Sequence, residues 1–397
     1  MAAGEVKHAF YEPQLDGLRG LMAVWVLVWH ASALSAYFTQ FIPPGGVAVD
    51  VFMFLSGLLM TRNFAARESR EPLATWDTII NFWIRRFFRI APLYYPALAI
   101  SLYVSSNYSL LLLRLGAIFP APWSGSGNDP SQHALTAGNI LSHVSFTFGL
   151  FPQFASNNLL PDWSLSLEMQ FYLVLPFVLI ISRRVGLTII TVASTIIMVM
   201  TSRYVGLYLS PGPLGLWPQP AMLAFKTNCF LAGILLGSYQ ERRDLTTLTL
   251  FFATAFIMQN TLFKFFAGIS FLMSNIEPET TLGKAGVLLK SALSNKIARF
   301  FGDISYSVYL LHMLILYGTF WLLTQHTSFY VTLPPLQRFM ILLGCAAVVL
   351  VPLSYATYRI IELPGIALGR GLSRRKTASA QRRELSKGET AVDYVTS

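Results

Sequence analysis

Charged residues are scarce in this sequence. Asp, Glu, Lys and Arg together make up 12% of the 397 residues, whereas soluble domains carry about 25%. Hydrophobic residues make up 54%, and they are concentrated in blocks of about twenty, the length that crosses a hydrocarbon core. The hydrophobic core of a soluble protein does not account for so many apolar blocks of this length. The sequence therefore predicts an all-α integral membrane protein, a polytopic bundle of transmembrane helices.

Cysteine is equally scarce. Cys229 and Cys345 are the two cysteines, and both lie in apolar blocks, so we expect neither a disulfide framework nor a metal site. The first block begins near Leu18 without a small-residue cleavage site, which favours a retained span over a signal peptide. The net charge of +10 does not indicate nucleic-acid binding, because membrane proteins concentrate Lys and Arg in cytoplasmic loops.

The basic residues orient the chain. Nine clear apolar blocks run near 18–39, 47–64, 88–105, 164–182, 185–205, 219–238, 246–266, 302–324 and 338–360. Arginines and lysines are concentrated between the second and third blocks, after the fourth and sixth blocks, and in the C-terminal tail. Placing all of these in the cytoplasm satisfies the positive-inside rule and puts both termini there. The number of spans is then even. We expect about ten, with the missing crossing between about 267 and 299.

The domain organisation follows from these blocks. Residues 1–365 are predicted to form one membrane domain, and no appended soluble domain is recognisable. Residues 366–397 are basic and lack apolar periodicity, which predicts a disordered cytoplasmic tail. The Gly- and Pro-rich segment 120–163 is predicted to lie outside, where it either covers a site or serves as a solvated connector.

Several ionisable residues lie inside the blocks, where they are costly and usually face a bundle interior. On one helix, Arg19 and His30 are eleven residues apart, about 20° apart around the axis and about 16 Å along it. Asp16 lies on the same side. One helix face therefore carries an acid, a base and an imidazole. The alternative is a histidine that only bonds a neighbouring helix.

Further polar residues recur in later blocks. Asp50 lies near the outer end of the second block, where its carboxylate could orient His30, and the nearby Ser56 and Gly57 are best explained by close packing. Arg86 and Arg89 share a helix face. Guanidinium pairs at the mouth of a span suit phosphate groups, although ordinary positive-inside anchors would look the same.

Two helix stripes complete the set. Glu168 lies within an apolar span and shares a face with Ser164 and Tyr172, so its carboxylate needs a partner there. Tyr309 and His312, with Ser305, form a similar stripe. A structural histidine is as plausible there as a site residue. Near the end of the last span, Glu362 is interpreted as mainly structural.

Together these segments resemble the acyltransferase-3 family of integral membrane O-acyltransferases. The order and relative distances of the motifs match along residues 11–365. The matching motifs are Leu15-Asp16-Gly17-Leu18-Arg19-Gly20 with His30, the segment 46–57, Arg86 with Arg89, Trp163-Ser164-Leu165 with Glu168, Ser305-Tyr306 through His312, and Tyr358 with Glu362-Leu363-Pro364. One departure is mild: Phe52-Met53-Phe54 stands where the family usually has paired phenylalanines.

The resemblance implies a ten-span fold that transfers an acyl group, usually acetyl, from cytoplasmic acyl-CoA to a hydroxyl of a glycan or glycolipid. We hypothesise that His30 is the base, oriented by Asp50 or Glu168, and acts either directly or as an acylated intermediate. The hypothesis assigns CoA binding to Arg19, Arg86 and Arg89, and supporting roles to Asp16, Trp163, Ser164, Tyr309 and His312.

Three alternatives remain open from the sequence. A macrolide-like small molecule is the other acceptor class. A proton-coupled transporter would explain intramembrane charges equally well, although matched halves with broken helices are not recognisable. A non-catalytic membrane scaffold or sensor is the third.

Overall fold

The computed structural model describes residues 12–104, 116, 135–208, 210–258, 260–275 and 279–373. Helices dominate this part of the chain. They are α1 (Pro13–Leu34), α2 (Gly46–Arg67), α3 (Trp76–Tyr103), α4 (Ala137–Val144), α5 (Trp163–Val185), α6 (Leu187–Tyr204), α7 (Thr227–Arg242), α8 (Leu245–Ile257), α9 (Thr261–Asn275), α10 (Thr281–Leu293), α11 (Lys296–Asp303), α12 (Ser305–His326), α13 (Ser328–Thr332) and α14 (Pro335–Thr357). Two short parallel strands, β1 (Gly206–Leu207) and β2 (Leu216–Trp217), pair between α6 and α7.

The prediction of a multi-pass membrane protein is confirmed. In the part of the chain that the structure describes, six helices are long and apolar enough to cross a membrane: α1, α2, α5, α6, α12 and the helix formed by α14 with its continuation to Ser373. The count of ten spans stays a prediction. The 28-residue α3 and the shorter α7, α8 and α9 are the helices that would complete it.

The apolar block at 246–266 is divided in the structure. It contains α8 and the first part of α9. The break occurs because the Asn260 side chain accepts hydrogen bonds from the backbone N–H groups of Leu262 and Phe263, at 3.0 and 3.3 Å, and so begins a new helix. In the segment 267–299, expected to hold one further crossing, the structure describes the end of α9, all of α10 and the start of α11, and the crossing stays a prediction.

Ion pairs tie several helix ends together at one end of the bundle. They join the start of α1 and the end of α2, and they join the α2–α3 connection to both α3 and the end of α5. The pairs are Arg62 with Glu12, Arg85 with Glu71 and Arg183 with Glu68, each with an N–O distance of 2.7 Å. Hydrogen bonds from Arg183 hold the pKa of the Glu68 carboxyl below its usual value. The start of α1, the end of α2 and the end of α5 thus lie at the same end of the bundle, as expected when successive helices run in opposite directions.

The predicted tail is helical where it begins. The last long helix continues from α14 through a π-helical turn, Tyr358–Glu362, as far as Ser373. Residues 366–373 therefore extend the helix, whereas 374–397 lie outside the described residues. Of the segment 120–163, the part from 135 onward is described, and it includes α4. It packs against α3, where Phe146 lies 4.7 Å from the Tyr94 ring.

Helices α2 and α7 approach each other at the level of their backbones. A Cβ on Gly57 would lie 2.2 Å from the carbonyl oxygen of Phe230, and one on Gly233 would lie 2.0 Å from that of Phe54. The sequence-based interpretation of Gly57 as a packing residue agrees with this contact. Close approach of α2 and α7 fixes the helix that carries Asp50 and Ser56.

We predict that Gly233→Ala destabilises the protein, because a methyl group there must push a backbone carbonyl away. Overpacking of this kind costs about 1–3 kcal/mol. Thermal unfolding of the purified protein in detergent measures the effect. Gly318→Ala is the matched control, because a Cβ at Gly318 meets nothing within 4 Å. Equal unfolding temperatures for the two variants would contradict the close α2–α7 contact.

Candidate active site

Three arginines from two helices lie close together inside the bundle. Arg19 comes from α1, and Arg86 and Arg89 lie one turn apart on α3. Arg19 interacts electrostatically with Arg89, and Arg86 interacts with Arg89. The Arg86 guanidinium carbon lies 5.7 and 5.8 Å from the ring centroids of Phe82 and Tyr172, at a cation–π distance. All three side chains are half-buried.

We call these three arginines the arginine cluster, and the described residues offer it no direct counter-charge. Within the described part of the chain, none of the three guanidinium groups lies within ion-pair distance of a carboxylate. The Nε of Arg86 is buried, and none of the described residues accepts a hydrogen bond from it. Half-buried guanidinium groups without carboxylate partners are suited to an anionic ligand.

Two glutamates lie beside the cluster, each engaged by other groups. Glu168 on α5 accepts hydrogen bonds from the Ser56 hydroxyl at 3.2 Å and from the Tyr172 hydroxyl. Glu362, which is buried, accepts one from the Ser307 hydroxyl. Glu168 interacts electrostatically with Arg19 and Arg86, and Glu362 with Arg19 and Arg89. Both carboxylates are thus held at the edge of the arginine cluster.

His30 lies beyond the cluster, toward the other end of α1. Its ring partner is His312 on α12, with 5.0 Å between the ring centroids and 3.2 Å between His30 Nδ1 and His312 Nε2. His30 Nδ1 is also 2.9 Å from the carbonyl oxygen of Val26. His312 is fully buried, whereas His30 is half-buried. The structure therefore pairs His30 with a second histidine.

Asp50 has a different partner from the one expected. Its carboxylate lies 2.6 Å from the Lys226 ammonium group at the start of α7. Glu168, the other expected partner of His30, is bonded to Ser56 and Tyr172. The expectation that Asp50 or Glu168 bonds His30 is therefore not met in the structure. The physical reason is that Lys226 provides a full opposite charge for a buried carboxylate, which a neutral imidazole does not.

The remaining predicted residues lie around these groups. Ser164 and Tyr309 share a hydrogen bond of 2.7 Å, and the Tyr309 hydroxyl lies 3.0 Å from the carbonyl oxygen of Pro161. This contact joins α12 to the start of α5. Trp163 is partly buried against the core, and Asp16 lies near Arg19. The structure therefore brings most of the predicted set together.

Asp162 anchors the start of α5 and was not predicted as a site residue. Its carboxylate accepts hydrogen bonds from the Tyr94 hydroxyl at 3.0 Å and from the Asn158 amide at 2.9 Å, and it lies 3.6 Å from His143 on α4. The segment before α5 is thereby bound to α3. This arrangement positions the helix that carries Ser164 and Glu168.

Sequence reasoning also missed Ser56, Lys226 and the role of Glu362. Ser56 looked like a packing residue because its neighbour is Gly57. Lys226 stands at the end of a connection without a recognisable motif. Glu362 had a signal, a carboxylate within an apolar helix, and it faces Ser307 because the π-helical turn Tyr358–Glu362 shifts its register.

Comparisons with known proteins identify the family of this chain. The model of the family described as "Acyltransferase domain", acyltransferase-3, matches residues 12–359. The O-acetyltransferase OatA of Staphylococcus aureus (strain NCTC 8325 / PS 47) is 28% identical over 172 residues, which are 43% of this chain and 25% of that protein. The peptidoglycan O-acetyltransferase OatA of Listeria monocytogenes serovar 1/2a is 29% identical over 177 residues, 43% of this chain and 24% of that protein.

The matched segment is thus about a quarter of the length of these relatives. No solved structure matches the chain significantly. The family model covers most of the sequence. This protein is a multi-pass membrane protein, and it belongs to the acyltransferase-3 family. The resemblance inferred from the motifs is confirmed.

We predict that Asp50 and Lys226 stabilise the fold as a pair. Asp50→Asn or Lys226→Met alone leaves one charge unpaired, and breaking a buried pair costs about 3–5 kcal/mol. The double variant should be more stable than the sum of the single effects allows. Thermal unfolding of the wild type, the two single variants and the double variant completes this double-mutant cycle. Additive losses would contradict the pairing.

Proposed function

We propose that this protein transfers an acetyl group from acyl-CoA to a hydroxyl of a glycan or glycolipid acceptor. The observation that carries the proposal is the arginine cluster, which has no direct carboxylate partner among the described residues and whose α1 member, Arg19, lies on the same face of that helix as His30. The Listeria relative is named a peptidoglycan O-acetyltransferase, which supports both an acetyl group and a glycan acceptor.

The arginine cluster fits the phosphates of an acyl-CoA donor. Arg19, Arg86 and Arg89 offer planar donor groups, and guanidinium forks bind phosphate oxygens in pairs. The buried Nε of Arg86, without an acceptor among the described residues, is a group that a phosphate oxygen would satisfy. Glu168 and Glu362 are held by hydroxyl donors and would keep the arginine side chains in place without neutralising them.

His30 is the proposed base. In the direct route its Nε2 takes the proton of the acceptor hydroxyl while the oxygen attacks the thioester carbonyl. The new C–O bond forms, the C–S bond breaks, and the CoA thiolate leaves with the proton returned by His30. In the alternative route Nε2 itself attacks, so that a C–N bond forms as the C–S bond breaks and CoA leaves as the thiolate. The acceptor oxygen then forms the C–O bond as the C–N bond breaks, and the freed Nε2 takes the hydroxyl proton and passes it to the thiolate. Both routes need the same free ring nitrogen.

The distance along α1 matches the shape of the donor. Arg19 and His30 are separated by about 16 Å of helix rise, and acyl-CoA carries its phosphates and its thioester at opposite ends of a long arm. With about ten spans and both termini in the cytoplasm, the arginine cluster faces the cytoplasm, where acyl-CoA is made. The acceptor would approach from the other side, past α4 and the start of α5.

Arg86→Gln and Arg89→Gln are predicted to weaken donor binding. Each variant should raise the KM for acetyl-CoA by about tenfold or more, since a hydrogen bond to a charged group is worth about 1.5–3 kcal/mol. Initial rates with labelled acetyl-CoA and membrane-derived glycan acceptors measure this effect. Arg184→Gln is the matched control, because Arg184 is exposed. Wild-type KM values in both cluster variants would rule out the phosphate site.

His30→Ala should abolish acetyl transfer, because the loss of a general base costs about 10²–10⁴-fold in rate. Binding of acetyl-CoA should persist, since the arginine cluster is intact. Turnover and equilibrium binding are measured on the same folded preparation. Full activity in this variant would overturn the assignment of His30. Proton-coupled flux without any acetylated product in the wild type would instead favour the transporter.

A further inference from the structure

His312 is the neighbour that distinguishes His30 from an isolated buried histidine. It reaches across from α12 to α1, and its Nε2 lies 3.2 Å from His30 Nδ1. It is fully buried, and within the described chain neither imidazole ring lies within ion-pair distance of a carboxylate. The pair must therefore satisfy its hydrogen-bonding groups with neutral partners.

The backbone determines the protonation of His312. Its Nδ1 lies 2.6 Å from the carbonyl oxygen of Tyr309. A carbonyl oxygen accepts hydrogen bonds and never donates them, so Nδ1 must carry the proton. A fully buried histidine without a counter-charge is neutral, because burying an unpaired charge is costly. The Nε2 of His312 is therefore a bare lone pair, and it is directed at His30.

The hydrogen-bond acceptors around His30 also determine its tautomer. Its Nδ1 faces two acceptors, the carbonyl oxygen of Val26 at 2.9 Å and the lone pair of His312 Nε2. Neither acceptor donates a proton, so Nδ1 of His30 must carry one and share it between them. In the neutral ring, the other nitrogen then has a free lone pair. This nitrogen is Nε2, which both routes of acyl transfer require.

We propose that His312 is a positioning residue of the acyl-transfer site: its Nε2 accepts the Nδ1–H of His30, orients the His30 ring and stabilises the imidazolium that forms when Nε2 takes a proton. The inference rests on the proposed function of His30. Val26 already selects the tautomer from within α1, whereas His312 adds a link to α12. Through Tyr309, which bonds Ser164 and Pro161, that link extends to the start of α5.

Three variants separate this role from simple packing. His312→Phe fills the space without an acceptor. His312→Asn keeps a polar group near the position of Nδ1, and His312→Gln places an amide oxygen near the position of Nε2, where it can accept from His30. Met313→Leu, the next residue along α12, is the control for a disturbed helix. All are assayed as full-length protein with acetyl-CoA, and thermal unfolding reports folding.

His312→Phe and His312→Asn should lower kcat by about 10–100-fold, the usual loss when the partner that orients a functional histidine is removed. The KM for acetyl-CoA should stay unchanged, because the arginine cluster is not affected. His312→Gln should recover most of the lost kcat. The proposal is wrong if His312→Phe retains wild-type kcat while His30→Ala is inactive. If His30→Ala is active, the assignment of His30 as the base fails, and with it the ground on which this inference rests.

Nitrogen-15 NMR of histidine-labelled wild-type protein tests the proton positions without any assay or variant stability. The chain has six histidines, so the spectrum is small, and His30→Gln and His312→Gln assign the signals. We expect Nδ1 of both rings to be protonated and Nε2 of both rings to show the shift of a bare imidazole nitrogen. A proton on Nε2 of His30 in the resting protein would overturn the inference.

Discussion

The constraint on which the site depends is the cost of burying charge in a protein surrounded by hydrocarbon. The structure meets this cost in two ways. The Asp50 carboxylate is neutralised by the Lys226 ammonium group at 2.6 Å. This ion pair stabilises the contact between α2 and α7. The arginine cluster has no such partner among the described residues, which makes it suited to an anionic ligand. That difference separates the structural charges from those available to a ligand.

Polar side chains along α12 connect the region of the arginine cluster with the region of His30. At one level Ser307 binds Glu362 beside the arginine cluster. Further along the same helix, Tyr309 binds Ser164 and His312 reaches His30. Helix α12 thus touches both the region proposed to hold the donor phosphates and the region proposed to do the chemistry. A single rigid helix would keep their separation constant, which suits a donor with widely separated ends.

Helical periodicity predicted the arrangement within each helix well. Arg19 and His30 lie on one face of α1, as their spacing required, and the residues assigned to the site converge from several helices. Partner choice between helices was not predictable in the same way. Nothing in a single sequence shows that Asp50 meets Lys226, or that His30 meets His312 rather than a carboxylate, because those contacts depend on helix rotation and tilt. Short breaks such as Asn260 were missed because hydropathy does not register a side-chain cap.

The central claim is that one donor spans the arginine cluster and His30. A structure of the protein with a non-reactive acetyl-CoA analogue tests it most directly. The account predicts phosphate density against Arg19, Arg86 and Arg89, with the carbonyl carbon of the analogue about 3–3.5 Å from Nε2 of His30, the separation of a reactive complex. Phosphates bound elsewhere, or a carbonyl group remote from His30, would contradict it.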